Sequence, residues 1–141
     1  MSMYHPKIAE IVRRDPRYAY EAYEFVFAAL AHTQRALGRA PRGGGGDEPP
    51  EVPAAEHHVS GRELCLGIRE FALEQFGLMA RGVFRRWGID RTGDFGEIVF
   101  NLIEANMMSK TPDDSRQDFQ DVYDLDAALV RDFRIRLEEA E

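Results

Sequence analysis

Between residues 60 and 108 the apolar positions recur at three- and four-residue spacing, a rhythm that predicts three successive helices. Ser60-Gly61-Arg62-Glu63 opens the first with the form of a capping box: a serine hydroxyl accepts from a free first-turn N–H and a glutamate three residues on reaches back. Leu64, Ile68, Phe71 and Ala72 share one face of that helix, while Leu66 and Leu73 fall nearly opposite at about 100° per residue. A helix apolar on two sides needs two neighbours. Leu66, Leu73 and Phe71 are therefore expected to be shielded from water together, and Phe100 of the third helix with them. The second helix, over 79–87, sets Ala80, Val83, Phe84 and Trp87 on one stripe and Arg81, Arg85 and Arg86 on the remaining circumference, so it reads as a one-sided lid. In the third, Asp94-Phe95-Gly96-Glu97 supplies an aspartate cap, and Phe95, Ile98, Val99, Leu102 and Ile103, widened by Phe100, make an arc broad enough for the core.

The flanking segments follow the same rules. Ile8, Ile11 and Val12 predict a short helix over 6–14. Asp15-Pro16 then offers a cap and a first-turn proline for a helix running to about residue 37, with Tyr18, Ala22, Phe25, Val26, Ala29 and Leu30 on one side and Tyr23 and Phe27 widening the arc. These rings read as core with some hydroxyls at the surface. Gly38 ends the helix. Residues 39–56 hold four consecutive glycines and four prolines, a composition that resists both helix and ladder and reads as a flexible tether inside one domain. Thr111-Pro112-Asp113-Asp114 is a further helix start. Phe119, Val122 and Tyr123 suggest a turn or two of helix, interrupted near Asp124-Leu125-Asp126, and Leu129, Val130, Phe133 and Leu137 a last helix. No stretch alternates as a strand should, apart from a short run over 133–137 that fits either pattern. The expected class is all-α: a compact single-domain bundle of five to seven helices over residues 1–141, with one Gly/Pro-rich loop.

Composition adds scale. A chain of 141 residues, 44% hydrophobic, can build a core without a disulfide or a structural metal, and its single cysteine, Cys65, has no intrachain partner. The absence of a long uncharged apolar run points to a cytoplasmic protein with no export signal and no membrane span. The net charge of −7 is unevenly spread: residues 61–93 carry six arginines against four acids, residues 94–126 nine acids against two bases. That asymmetry is the most distinctive feature of the surface.

Catalytic signatures are missing. There is no Gly-x-Ser-x-Gly elbow and no phosphate-binding GxxxxGK[ST], while Gly88, Gly93 and Gly96 lack both the GxGxxG order and a preceding strand. His57 and His58 are adjacent, a poor spacing for one metal ion, and no Cys/His partner stands at zinc spacing, so neither metal nor cofactor is expected. Asp114, Asp118 and Asp121 would share a helical face, with Asp113, Asp124 and Asp126 nearby; the order of a calcium loop is absent, leaving a solvated acidic face, with a weak site for a hard cation such as magnesium or a docking surface for a basic partner as its alternatives. Around Gly77 a helix-turn-helix template can be laid on Ala72, Phe76, Leu78 and Val83, with Arg81, Arg85 and Arg86 available for phosphates. Leu73 and Arg86 fit that template badly, and the acidic region downstream would repel nucleic acid.

The runs HVSGRELCLGIREFALEQFG (58–77), WGIDRTGDFGEIVFNLIEANMMSKT (87–111) and DSRQDFQDVYDLD (114–126), with RYAYEAYEFVFAALAHT (17–33) ahead of them, resemble a family of short bacterial conserved hypothetical proteins. The resemblance implies a bacterial, soluble, single-domain protein and brings no reaction, ligand or site residue with it. The sequence-level expectation is a non-enzymatic interaction or regulatory module that docks a protein partner through Arg81, Arg85 and Arg86 and through Asp114, Asp118 and Asp121. The alternative is nucleic-acid binding through the basic helix over 79–87.

Overall fold

The computed structural model describes residues 5–38, 58–108 and 115–131. The tether over 39–56, His57, the start signal at Thr111-Pro112-Asp113-Asp114 and the apolar run over 133–137 lie outside the described residues. Within them the fold is all-α, with five α-helices and no strand: α1 (Pro6–Arg14), α2 (Tyr20–Ala36), α3 (Gly61–Phe76), α4 (Ala80–Arg86) and α5 (Thr92–Glu104). Two 3-10 turns, Gly77–Met79 and Arg116–Phe119, and a π-helical turn, Ala127–Arg131, complete the architecture.

α1 starts on Pro6 and buries Ile8 and Ile11, and its cap residue His5 donates its backbone N–H to the Tyr20 hydroxyl at 2.6 Å. The expected restart at Asp15-Pro16 is displaced. Asp15 closes α1, and α2 begins only at Tyr20. The reason lies in the partners Asp15 finds: one carboxylate oxygen accepts from Arg17 Nε at 2.8 Å, the other from Arg17 Nη2 at 2.7 Å and from Asn101 Nδ2 at 3.0 Å. The turn it anchors is docked by Ala19, whose N–H donates to the Trp87 carbonyl at 3.1 Å. Held from two sides, residues 15–19 cannot wind into the first turn of α2.

α2 and α3 pack antiparallel. Phe25 of α2 stacks on Phe76 at 5.6 Å and meets Phe71 at 5.2 Å, while His32, further along α2, meets the same Phe71 at 5.1 Å. At the closest approach Gly67 faces buried Thr33, and a Cβ at Gly67 would collide with the threonine hydroxyl. α3 begins as its sequence predicts, with Glu63 N–H donating to Ser60 Oγ at 3.1 Å and Ser60 N–H donating to Glu63 Oε1 at 3.0 Å. Only part of its second apolar side is covered. Leu73 and Phe100 are buried and Phe71 is half-buried, but Leu66 is 43% exposed. Leu66 lies in the i, i+4 row Arg62, Leu66, Glu70, Glu74, and the charged members of that row face solvent with it.

α5 is the central helix, with Phe95, Ile98 and Leu102 inaccessible and Val99 and Phe100 buried. Its start also differs from expectation. Arg91 is the cap, and Asp94 is the third helical residue, reaching back to accept from the N–H groups of Asp90 at 2.9 Å and Arg91 at 3.2 Å. Phe119 is clamped between α3 and α5, where Gly61 and Gly96 leave room for its ring and Cβ. Buried Thr92 holds that segment by donating to the Phe119 carbonyl at 2.6 Å and accepting from Val122 N–H at 3.1 Å.

Candidate interaction surface

Two of the four exposed large apolar side chains among the described residues, Leu78 and Met79, lie at the corner between α3 and α4. Gly77, at φ 55° and ψ −133°, ends α3, and the 3-10 turn Gly77–Met79 leads straight into α4. The inner side of α4 is firmly seated: Ala80 and Phe84 are inaccessible, and the Phe84 ring meets Phe25 at 5.5 Å and Phe95 at 5.4 Å, both edge-on. Trp87 extends this aromatic cluster, 5.5 Å from Phe25 and 5.9 Å from Phe76. Gly88 follows at φ 91°, and its Cα lies so close to the Arg17 carbonyl that no side chain would fit.

The outer side is bare. Met79 is 72% exposed and Leu78 45%, Gly82 is exposed with open space above it, and Arg86 is exposed. The Arg85 side chain is 63% exposed and reaches only to 3.9 Å from Asp126. By the i, i+3 and i, i+4 spacing of a helix, Leu78, Met79, Gly82, Arg85 and Arg86 form one continuous strip.

Arg81 stands apart from the other two arginines. Its side chain is 11% exposed; Nε donates to Asp126 at 2.9 Å, Nη1 to the Ile89 carbonyl at 3.2 Å and Nη2 to Asp90 at 3.3 Å. It ties α4 to the loop that follows and to the 125–131 region. Of the three arginines, Arg85 and Arg86 are exposed and Arg81 is committed inside the chain.

Among the described residues, Asp118, Asp121, Asp124 and Asp126 do not gather on one helical face. Asp118 caps a 3-10 turn, accepting from Ser115 N–H at 3.1 Å; the turn ends at Phe119 and Gln120 is extended, so Asp121, at φ 49°, does not share a helix with it. Asp124 accepts from Ala127 N–H at 2.9 Å and Asp126 pairs with Arg81, while Asp113 and Asp114 lie outside the described residues. Local capping thus takes up acids that the sequence pattern assigns to one surface. Among the described residues no three His, Cys, Asp or Glu side chains converge as a metal site would require. The helix-turn-helix template is met at buried Ala72 and at Gly77, but α4 spans only seven residues and Arg86 is exposed where the template buries an apolar side chain.

An open depression just past the end of α4 is lined by Arg17, Tyr18, Gly88, Asp90, Arg91 and Asp94. Its central groups are spent on one another: the Tyr18 hydroxyl donates to Asp94 Oδ1 at 2.6 Å, and the other Asp94 oxygen holds the two backbone N–H groups at the start of α5. Burial, reinforced by that hydrogen bond to Asp94, pushes the Tyr18 phenol above its ordinary pKa. Cys65 is also far from nucleophilic, since burial raises its thiol to about 12.

Met79 and Gly82 are absent from the site residues that the sequence pattern nominates, and Leu78 enters only through the helix-turn-helix template. The signal lay in Leu78 and Met79 being consecutive apolar residues outside the Ala80, Val83, Phe84 and Trp87 stripe. No family model, curated protein or solved structure matches this chain.

Proposed function

We propose that this chain is a cytoplasmic, non-enzymatic interaction module that docks a protein partner on the outer side of the Gly77–Met79 turn and α4. The observation that carries the reading is the exposed pair Leu78 and Met79 running along one strip into Arg85 and Arg86. Isolated apolar side chains at a surface are ordinary, but two together on a rigid corner, ending in accessible cations, form the apolar centre and charged edge of an interface. The corner is also pre-organised. Phe84 and Arg81 fix the inner side of α4, so little ordering remains to be done on binding.

The test is capture from native lysate by the tagged chain and by its Met79→Asp variant. A stoichiometric partner retained by the parent and lost by the variant is the expected outcome. Met79 touches too little of the core for the substitution to shift stability by more than about 0.5 kcal/mol, which a urea transition checks. Equal capture by both chains overturns the reading. Retention of duplex DNA that falls steeply with salt overturns it in favour of nucleic acid.

A further inference from the structure

The docking strip contains a glycine that the chain's own packing does not call for. Among the described helical glycines, Gly61 is crowded by Asp118 and Phe119, Gly67 by Thr33, Gly93 by Gln120 and Gly96 by Phe119. At each, a Cβ would press on a neighbour. At Gly82 a Cβ would meet nothing within 4 Å, and its φ does not fall in the left-handed region. Glycine inside a helix is unfavourable relative to alanine, because it leaves the backbone freer in the unfolded chain, so Gly82 weakens an already short helix with no compensation within the described residues.

We propose that Gly82 is the floor of a helix-docking groove, and that the occupant is an amphipathic helix of a partner protein with an apolar face and acidic residues at one end. The inference rests on the docking face assigned above and adds the chemistry of what it takes. A bare backbone between Leu78 and Met79 on one side and Arg85 and Arg86 on the other lets a second helix approach more closely than a side chain would allow. The apolar end takes the partner's aliphatic side chains. The cationic end takes its carboxylates, since Arg85 is held only loosely by Asp126 at 3.9 Å and Arg86 has no ion pair among the described residues.

A second copy of this chain fits less well. Residues 77–86, GLMARGVFRR, contain no acid, so two copies meeting through this strip would bring four exposed arginines together without a counter-charge. Two chains of net charge −7 also repel at long range.

The experiment titrates the isotopically labelled full chain with two synthetic helical peptides that share a leucine face, one flanked by glutamates and one by lysines, and follows amide shifts by NMR. The glutamate peptide is expected to perturb residues 77–86 and to bind about tenfold or more tightly than the lysine peptide. Gly82→Leu, a good helix former in open space, is expected to keep the fold and weaken the glutamate peptide by a similar factor of about ten. Arg85→Glu with Arg86→Glu should reverse the peptide preference. Equal binding of the two peptides, shifts centred elsewhere, or an unaffected Gly82→Leu variant each overturns the proposal. A concentration-dependent dimer abolished by Gly82→Leu overturns it in favour of a second copy. Should Met79→Asp abolish capture from lysate while the glutamate peptide fails to bind, the docking face stands and the partner's chemistry falls. Should capture ignore Met79→Asp, the face itself falls.

Discussion

Asp15 shows how one side chain can replace the role its sequence position suggests. Next to proline it reads as a helix cap, yet its carboxylate ties its own turn to α5 and, through it, to α2: Arg17 pairs with it at 2.7 Å and with Glu97 at 3.4 Å, and Asn101 bridges it to the Tyr23 hydroxyl, with 3.0 Å on each side. The Arg17 hydrogen bonds, opposed by partial burial and aided by Asn101, hold the Asp15 carboxyl well below the usual carboxylate range. A folded-state pKa below the unfolded one means that the unfolded chain takes up its proton first as pH falls. The stability Asp15 contributes is complete above the unfolded value of about 4 and is lost progressively below it. Urea midpoints of the parent and of Asp15→Asn should therefore differ at pH 6 and converge as the pH is lowered through about 4 toward 2. A difference that stays constant over that interval would show that the carboxylate's charge contributes nothing. A cap signature specifies a hydrogen-bonding demand, and sequence alone cannot say whether the first-turn N–H or a distant amide will meet it.

At the scale of elements, the predicted helices were legible because their apolar arcs were wide and their starts marked. The Ser60 and Glu63 capping box forms as read, and the arc on α5 does become the centre of the core. What spacing could not supply was which helix sides would meet. Leu66 and Leu73 are seven residues apart on nearly the same side of α3, but α4 and the Ala127–Arg131 turn pack against α3, and coverage ends before Leu66. The α2–α3 crossing was equally hidden: Thr33 and Gly67 carry no apolar signal, yet they set the distance between the two helices. Thr33 turns its hydroxyl inward to the Ala29 carbonyl at 2.7 Å, and Gly67 accepts the bulk. Gly67→Ala should cost about 1–3 kcal/mol by forcing the helices apart, outweighing the gain in helix propensity. Adding Thr33→Ala should recover part of that loss, so a double-mutant cycle followed by urea unfolding should show clear coupling between the two sites. Strict additivity would place the strain elsewhere.

For the whole molecule, the core is an aromatic assembly in which several polar ends are turned inward and satisfied. Tyr23 is inaccessible and meets Asn101, Tyr18 meets Asp94, and Tyr123 donates to the Cys65 carbonyl at 2.6 Å. Composition announced the rings but not this arrangement, because the partners lie between 58 and 78 residues away. Burial is the leading cause that raises all three phenols above their usual pKa, and at Tyr123 the neighbouring Cys65 adds to it. Each phenol is thus neutral in the folded chain at a pH where the unfolded chain has lost the proton. The contribution to stability is complete below the unfolded value of about 10 and drains away as the pH climbs beyond it. In an alkaline titration, the phenolate absorbance that appears while far-ultraviolet circular dichroism is still native should lack the contribution of these three phenols. The signal of Tyr18, Tyr23 and Tyr123 should rise together with the loss of helix, and the Cys65 thiol, also held protonated by burial, should become reactive to a thiol reagent in the same transition. Full phenolate absorbance with the helical spectrum intact would mean that water reaches these hydroxyls in the native state, and that the core is far looser than the packing of α2, α3 and α5 implies.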